Sequence, residues 1–259
     1  MKKSALAGIV LALTGIAAGL YFDGGHIAQM LQPTAALIVF GGTLGAVIVQ
    51  FPFVTVMQAA RELREVFFTR DDPAAQIIAD LTRYTLRARR NGILSLDAEL
   101  DRISNPFLQK CLTYAVDGVH ADDLRSAMDL VMEAEANRED ALSAVFQAAG
   151  GFAPTIGILG AVIGLIQVMQ RLENISEVGR GIAVAFVATI YGVGIANLFF
   201  LPCAGRIKAV MHRRQVLREL MLEGVIGILD NTNPRALEKK LSAYLHEPRR
   251  ASVSTLVGQ

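Results

Sequence analysis

Long apolar segments dominate the pattern of hydrophobic and polar positions along this chain. Four of them contain no Lys, Arg, Asp, Glu or His, and they cover residues 4–22, 33–60, 141–170 and 181–205. A helix needs about 20 predominantly apolar residues to cross a bilayer, so each segment predicts one transmembrane helix. The second and third segments are longer than one crossing requires, and we expect both helices to extend into water.

Between the second and third predicted spans, the pattern changes to amphipathic helices. Apolar residues recur at helical spacing and predict one buried helix face, made of Ile77, Ile78, Leu81, Tyr84 and Ala88. This leaves Arg83, Arg87 and Arg90 directed toward water. Breaker residues bound the helix, with Asp71, Asp72 and Pro73 before it and Asn91 with Gly92 after it.

Two further helices are expected before the third span. Ser95 is expected to cap a short helix that has Asp97 in its first turn, and Asn105 with Pro106 to end it. A long helix from about Asp122 to Gln147 then leads into the third span. No strand pattern competes with these helices.

The distribution of charge orients the predicted spans. Residues 23–32 contain no Lys or Arg and residues 171–180 contain two, whereas residues 206–259 carry twice as many Lys and Arg as acids. Because Lys and Arg favour cytoplasmic segments, both termini and residues 61–140 of this multi-pass chain are expected in the cytoplasm.

The predicted fold class is an all-α membrane protein with four transmembrane helices. A first transmembrane hairpin covers residues 1–60, a helical cytoplasmic domain lies between the second and third spans at 61–140, a second hairpin covers 141–205, and a cytoplasmic C-terminal helix region covers 206–259. The first apolar segment also fits a cleaved signal peptide, since Lys2 and Lys3 precede it and Ala17 and Ala18 lie near its end. Cleavage would leave three spans and an outside N-terminus.

Composition and chemistry narrow the class of protein. A hydrophobic content of 53% is too high for a soluble protein, and 25 Lys and Arg nearly cancel 24 acids, so no nucleic-acid partner is indicated. The chain has no nucleophile elbow, phosphate-binding loop or metal-ligand spacing, and Cys111 and Cys203 fit neither a disulfide framework nor a zinc site. We therefore expect no enzyme activity and no cofactor.

The spans themselves lack the acid or base that normally marks an ion pathway in hydrocarbon. If ions cross at this chain, another subunit must supply the carboxylate.

Small residues recur at four-residue spacing within the spans and predict close helix packing, within the subunit or against a partner helix. They are Gly41, Gly45, Gly160, Gly164, Ala188, Gly192 and Ala196. Pro154 and Pro202 lie near span ends, where a proline bends or ends a helix. Thr155 and Thr189 are placed to bond water, an ion or a carbonyl one turn back.

Two stretches resemble a known family. They are PTAALIVFGGTLGA after DGGH, and GGFAPTIGILGAVIGL followed by GIAVAFVATIYGVGIANLFFLPCAGRIK. Over nearly the whole chain, these resemble the flagellar stator A subunit, the MotA-like branch of the MotA/TolQ/ExbB proton-channel family. The resemblance implies a stator in the bacterial inner membrane that couples ion flow to torque. It implies a ring of five such subunits around a MotB-like B subunit with an intramembrane aspartate and a peptidoglycan-binding domain.

The resemblance also implies roles for individual residues. It assigns Pro154 and Pro202 to coupling and Thr189 to the pore, with Thr155 and Tyr191 beside them on the ion path. Sodium-type relatives have threonines where this chain has Ala161 and Ala188, so the transported ion is expected to be a proton.

A cytoplasmic stretch, RRNGILSLDAEL, resembles the segment that contacts a FliG-like rotor protein. Arg89 and Arg90 match its basic pair, and Asp97 takes the acidic position, where the family more often has Glu; Glu99 is the other acid able to serve there. Without the resemblance, these charges are a solvated helix face.

Two other functions remain open. A TolQ/ExbB-type energiser of outer-membrane processes has three spans, and the count of four together with the block from DGGH to GGT argues against it. A non-conducting membrane scaffold would leave the matched prolines and pore threonine unexplained.

Overall fold

The computed structural model describes residues 2–22, 24, 30–68, 74–170, 172–173 and 175–246. Every regular element in these ranges is helical, which confirms the all-α prediction. In chain order the elements are α1 (Lys2–Phe22), α2 (Pro33–Gln50), α3 (Phe53–Phe68), α4 (Ala74–Asn91), a 3₁₀ helix (Ile93–Arg102), α5 (Pro106–Val116), α6 (Ala121–Met169), α7 (Ile175–Leu229) and α8 (Pro234–His246).

Within the residues that the structure describes, three helices are long and apolar enough to cross a bilayer, namely α2, α6 and α7. Within α1, the apolar stretch Val10–Phe22 is shorter. With 49 residues and a rise of about 1.5 Å per residue, α6 is far longer than the hydrocarbon core of a bilayer is thick. The expected continuation of the third span as a water-exposed helix therefore agrees with the length of α6.

The second apolar segment is not one continuous helix, contrary to expectation. The α2 helix ends at Gln50 because Phe51 is extended, with φ −124° and ψ 143°. Pro52 follows; its ring disfavours a helical residue before it and it has no N–H to donate. The N–H of Thr55 donates to the Pro52 carbonyl at 2.9 Å, and α3 begins there.

The chain divides into two compact units. The first contains Met1–Thr69 and Arg138–Val210, and the second contains Arg70–Asn137 and Met211–Gln259. In the first unit, α2 packs on α7 through a small buried cluster made of Ala35, Val39, Val187 and Ala188. Apart from this cluster, much of the apolar surface of the first unit is exposed.

The second unit has a conventional apolar core. The predicted stripe on α4 is confirmed, because Ile77, Ile78, Leu81 and Tyr84 are buried and Ala88 packs against them. The helix ends at Asn91, as expected, and Gly92 has a φ of +78° that suits glycine. Its expected start at residues 71–73 lies outside the described residues. Burial among these side chains raises the pKa of the Cys111 thiol to about 12, consistent with a packing role.

Two details of the second unit correct the sequence analysis. Ser95 is not an N-cap: its hydroxyl donates to the carbonyl of Gly92 at 2.6 Å from inside the 3₁₀ helix. Asn105 and Pro106 begin α5 rather than end the preceding helix, because the Asn105 side chain accepts from the N–H groups of Phe107 and Leu108. Pro106 occupies the first turn, where its missing N–H costs nothing.

Candidate functional site

Small residues line the contact between α6 and α7. A Cβ on Gly157 would lie 2.9 Å from the carbonyl oxygen of Ala188, and one on Gly192 would lie 2.4 Å from that of Ala153. Such distances leave no room for a side chain, so the two backbones are in direct contact. We call this contact, formed by Ala153, Gly157, Gly160 and Gly164 on α6 and Ala185, Ala188 and Gly192 on α7, the small-residue seam.

The small-residue seam shows which of the small residues pack within the subunit, a question that their spacing in the sequence left open. Gly160 faces the Cβ of Ala188, and Gly164 faces Ala185, so these residues pack within one subunit. Gly41 and Gly45 have no atom within 4 Å of an ideal Cβ and lie on an exposed part of α2. The two groups therefore differ, although their spacing in the sequence is the same.

Pro154 does not end its helix. The α6 helix continues to Met169, although proline has no N–H for the carbonyl of Gly150. Leu201 packs over Gly150, since a Cβ there would lie 2.6 Å from Leu201 Cδ2. The freed carbonyl thus lies in a stretch where α6 and α7 touch.

Pro202 also lies inside a helix. Directly before it, Ala196–Phe200 form a π-helical turn, and α7 then continues as α-helix from Leu201. Within this turn the side-chain amide of Asn197 donates to the carbonyl of Val193 at 2.9 Å. Side chains and wider turns of this kind accommodate the backbone groups that a proline leaves free. Simple helix termination is therefore the wrong interpretation of both prolines.

The register of the seam brings these irregularities together. Gly157 meets Gly192, and Gly150 meets Phe200 and Leu201, so Pro154 lies between these two contacts on α6. On α7 the π-helical turn lies between Gly192 and Leu201. A helix pair with a proline and a π turn at one level is easier to bend there than elsewhere. This is the mechanical feature of the candidate site.

The hydroxyls on the predicted ion path are already engaged. Thr189 donates to the carbonyl of Ala185 at 3.3 Å, and Thr155, which is exposed, donates to that of Phe152 at 2.8 Å. Each makes the local bond to its own helix that such residues commonly make. An ion using either oxygen would share it with the backbone.

Tyr191 connects α7 to the start of α2. Its hydroxyl donates to the carbonyl of Met30 and accepts from the N–H of Gln32 at 3.3 Å, while its ring lies 6.2 Å from that of Phe40. These contacts indicate that Tyr191 positions the start of α2. Its role on an ion path stays a prediction.

The two alanines predicted to select the ion differ in environment. Ala188 is fully buried in the seam, where it meets Gly160, and Ala161 is half-buried on the adjacent position of α6. A threonine at position 188 would therefore have to fit into a tight helix contact.

Both helices of the seam also present large apolar side chains outward. On α7 these include Phe186, of which 69% is exposed, and on α6 they form a stripe made of Ile158, Leu159, Val162, Leu165, Ile166 and Met169. Exposed apolar surface of this extent needs lipid or other protein to cover it.

The second predicted cluster lies at the end of α4 and in the 3₁₀ helix. Arg89 and Arg90 are exposed in the last turn of α4, where positive charge complements the helix dipole. Asp97 is exposed, whereas Glu99 is only 16% exposed and pairs with Arg87 and, at 3.7 Å, with Arg102. Asp97 is therefore exposed, as Arg89 and Arg90 are, whereas Glu99 is engaged in local ion pairs. Because Arg87 pairs with Glu99, it is less exposed than the sequence pattern predicted.

Two family profiles and a relative match this chain. Residues 6–91 match the profile described as motility protein A N-terminal, and residues 99–221 match that of the MotA/TolQ/ExbB proton channel family. A motility protein A of Bacillus subtilis (strain 168) is 35% identical over 246 residues, which are 95% of this chain and 91% of that protein. The chain belongs to the MotA/TolQ/ExbB proton channel family. The resemblance drawn from the sequence motifs is confirmed.

Solved structures of this family share the fold. A chain of C. jejuni MotAB has a TM-score of 0.89 and 30% identity, with 97% of this chain and 100% of that chain covered. A chain of the flagellar MotAB stator complex from Bacillus subtilis has a TM-score of 0.86 and 35% identity, with 94% and 96% covered.

Two features of this family member escaped the sequence analysis. The π-helical turns, Leu37–Gly41 in α2 and Ala196–Phe200 in α7, leave no hydrophobic period of their own in so short a stretch. The only signal for the second turn is Pro202 shortly after it. The pairing of Glu99 with Arg87 was also missed, because the two residues are twelve positions apart and meet only through the turn at Gly92.

Proposed function

We propose that this chain is the channel-forming stator subunit of a bacterial flagellar motor, which couples proton flow to torque on the rotor. The observation that carries the proposal is the similarity, over nearly the full length of both chains, to subunits of MotAB stator complexes. The match of residues 6–91 to a motility protein A profile favours this branch over a TolQ/ExbB-type energiser.

A B-type partner is part of the proposal. No Lys, Arg, Asp, Glu or His occurs in residues 33–60, 141–170 or 181–205, so the ion-binding carboxylate comes from a MotB-like subunit with one intramembrane aspartate. The exposed apolar surfaces of α6 and α7 suit both a partner helix and further copies of this chain. A ring of five copies around the B subunits is the assembly that we propose.

In the proposed mechanism, a proton neutralises the partner's aspartate in a low-dielectric pore and so permits a step of the ring. A charge that crosses the membrane releases about 2.3 kcal/mol per 100 mV. Pro154, Pro202 and the π-helical turn between the seam contacts supply the place where α6 and α7 bend. Thr155, Thr189 and Tyr191 border this path. No enzymatic step and no cofactor are involved.

The proton assignment rests on the shortage of oxygen ligands. A sodium ion needs several oxygens to replace its water, whereas a proton needs only the carboxylate. Ala161 and Ala188 offer no side-chain oxygen, and the Thr189 hydroxyl is already bonded to the Ala185 carbonyl.

The proposed topology has four spans in the bacterial inner membrane and both termini in the cytoplasm. The basic residues of 206–259 and the near absence of Lys and Arg from residues 23–32 support this orientation. The cytoplasmic second unit presents Arg89, Arg90 and Asp97 to a FliG-like rotor protein, and Glu99 acts indirectly by fixing Arg87.

Complementation tests the proposal. In a strain without stators, co-expression of this chain with its B-type partner should restore swimming, and this chain alone should not. A partner whose intramembrane aspartate is replaced by asparagine is the control, because it keeps the assembly and removes the charge. Swimming restored by this chain alone would contradict the proposal, as would failure of the intact pair that is present in the membrane.

A further inference from the structure

The break at Phe51 and Pro52 creates a separate amphipathic helix directly after an apolar one. On one side of α3, Ala59 and Val66 are buried. On the other side, Phe53 is exposed by 61%, Val54 by 65% and Met57 by 43%. At the start of α3, the exposed side therefore carries the kind of apolar side chains that face lipid on a membrane-spanning helix.

Two exposed arginines follow on the same side of the helix. Arg61 lies four residues after Met57, and Arg64 lies seven residues after it, so both project near the face that carries Phe53 and Met57. At about 1.5 Å per residue, the guanidinium groups begin about one turn beyond Met57. Such a change from apolar to basic within one turn is typical of a helix at the boundary between acyl chains and headgroups.

We propose that this surface, consisting of Phe53, Val54, Met57, Arg61 and Arg64, binds the headgroup of an anionic phospholipid. The apolar residues contact the acyl chains, and the two guanidinium groups hold the phosphate. Arginine suits this task because its planar fork donates two hydrogen bonds to one phosphate group. The proposal requires a membrane location but is independent of the coupling ion and of torque.

Charge and position favour lipid over another protein as the occupant. The apolar patch begins three residues after the end of α2, which is itself apolar enough to cross a membrane. A basic residue near an anionic membrane surface gains about a fivefold binding preference, so two give up to about 25-fold. Both effects place an acidic headgroup, rather than a neutral one, next to the arginines.

A tryptophan probe tests the proposal at the site itself. This chain contains no tryptophan, so Phe53→Trp introduces one at an exposed position, and the same complex with the unsubstituted chain gives the partner's contribution to subtract. The complex with the B-type partner is placed in bilayers that contain brominated phosphatidylglycerol or brominated phosphatidylcholine, which quench tryptophan on contact. We expect phosphatidylglycerol to be preferred by between about 5-fold and 25-fold, with a smaller preference at high salt.

Charge variants in the Phe53→Trp background complete the test. Arg61→Gln with Arg64→Gln should reduce the preference to nearly one, and Arg61→Lys with Arg64→Lys should retain most of it. Lys110→Gln with Arg235→Gln removes the same charge from exposed positions of the second unit and should leave the preference unchanged. Equal quenching by both lipids, an unchanged preference in the glutamine variant, or protection from both quenchers because protein covers the surface would each overturn the proposal.

Discussion

The small-residue seam predicts that one methyl group at position 192 disrupts the packing of α6 on α7. A Cβ there would lie 2.4 Å from the Ala153 carbonyl oxygen and 3.0 Å from the Cα of Gly157. All of these neighbours are backbone atoms, so no side chain can rotate away. The two helices have to separate by about 1 Å before the methyl group reaches an ordinary van der Waals distance.

Gly194 provides a matched control two residues further along α7. An ideal Cβ at Gly194 has no atom within 4 Å, so Gly194→Ala adds the same methyl group in open space. Both substitutions gain the same helix propensity, at most about 1 kcal/mol, and this gain cancels in the comparison. The overpacking cost of about 1–3 kcal/mol applies to Gly192→Ala alone.

We therefore expect Gly192→Ala to be less stable than Gly194→Ala by about 2 kcal/mol. At about 2–4 °C per kcal/mol for a chain of this size, the melting temperatures should differ by roughly 4–8 °C. The measurement is the loss of the intact complex on heating. Size-exclusion chromatography of a fluorescently tagged chain in detergent detects this loss. Melting temperatures that agree within about 1 °C, or a lower value for Gly194→Ala, would refute a tight contact at Gly192.

Three further predictions concern the second unit and the ion. Burial raises the pKa of Glu223, but hydrogen bonds from Lys240 and Arg125 outweigh burial and keep this pKa below its ordinary value. Glu223→Gln should therefore cost about 2 kcal/mol at neutral pH. Because the folded-state pKa is lowered, this contribution is complete above the unfolded pKa of about 4.3 and disappears as the pH falls through the lowered value. Melts below about pH 4 should show a smaller difference between the two proteins than melts at pH 7. Arg90→Glu should impair torque without loss of the protein from the membrane, because an exposed charge contributes little to stability; a compensating reversal on the rotor protein should restore rotation. At fixed membrane potential and pH, replacement of sodium by potassium should leave rotation unchanged, and rotation that stops until sodium returns would contradict proton coupling.

Much of the fold follows from the sequence because the bilayer permits few alternatives. A backbone in hydrocarbon has to satisfy its own hydrogen bonds, so an uncharged apolar segment of sufficient length is a helix whatever its detailed packing. The α4 stripe from Ile77 to Tyr84 was predictable for a similar reason, since burial on one side of a helix imposes a period of 3.6 residues. Family membership was predictable because sequence motifs of the family occur in the same order over nearly the whole chain.

The effect of single proline and asparagine residues on helix ends was harder to predict, because the same residue type can begin, end or lie within a helix. Pro52 ends a helix, whereas Pro154 and Pro202 lie within helices. The difference comes from the surroundings: α6 and α7 continue through their prolines in a tight helix contact, while Phe51 adopts an extended conformation. Asn105 before a proline suggested an end and in fact begins α5, because a proline in the first helical turn is compatible with the helix that follows.

By itself, the sequence determined the helical class, the apolar segments and the family, because these depend on composition and on order along the chain. Only the tertiary structure decided which small residues touch, since Gly160 packs against Ala188 while Gly41, with the same spacing to its neighbour, stays exposed. It also decided that Glu99 pairs with Arg87 and that Asp97 faces outward. These are contacts between separate elements, and their geometry depends on how whole helices pack, which no local pattern of residues encodes.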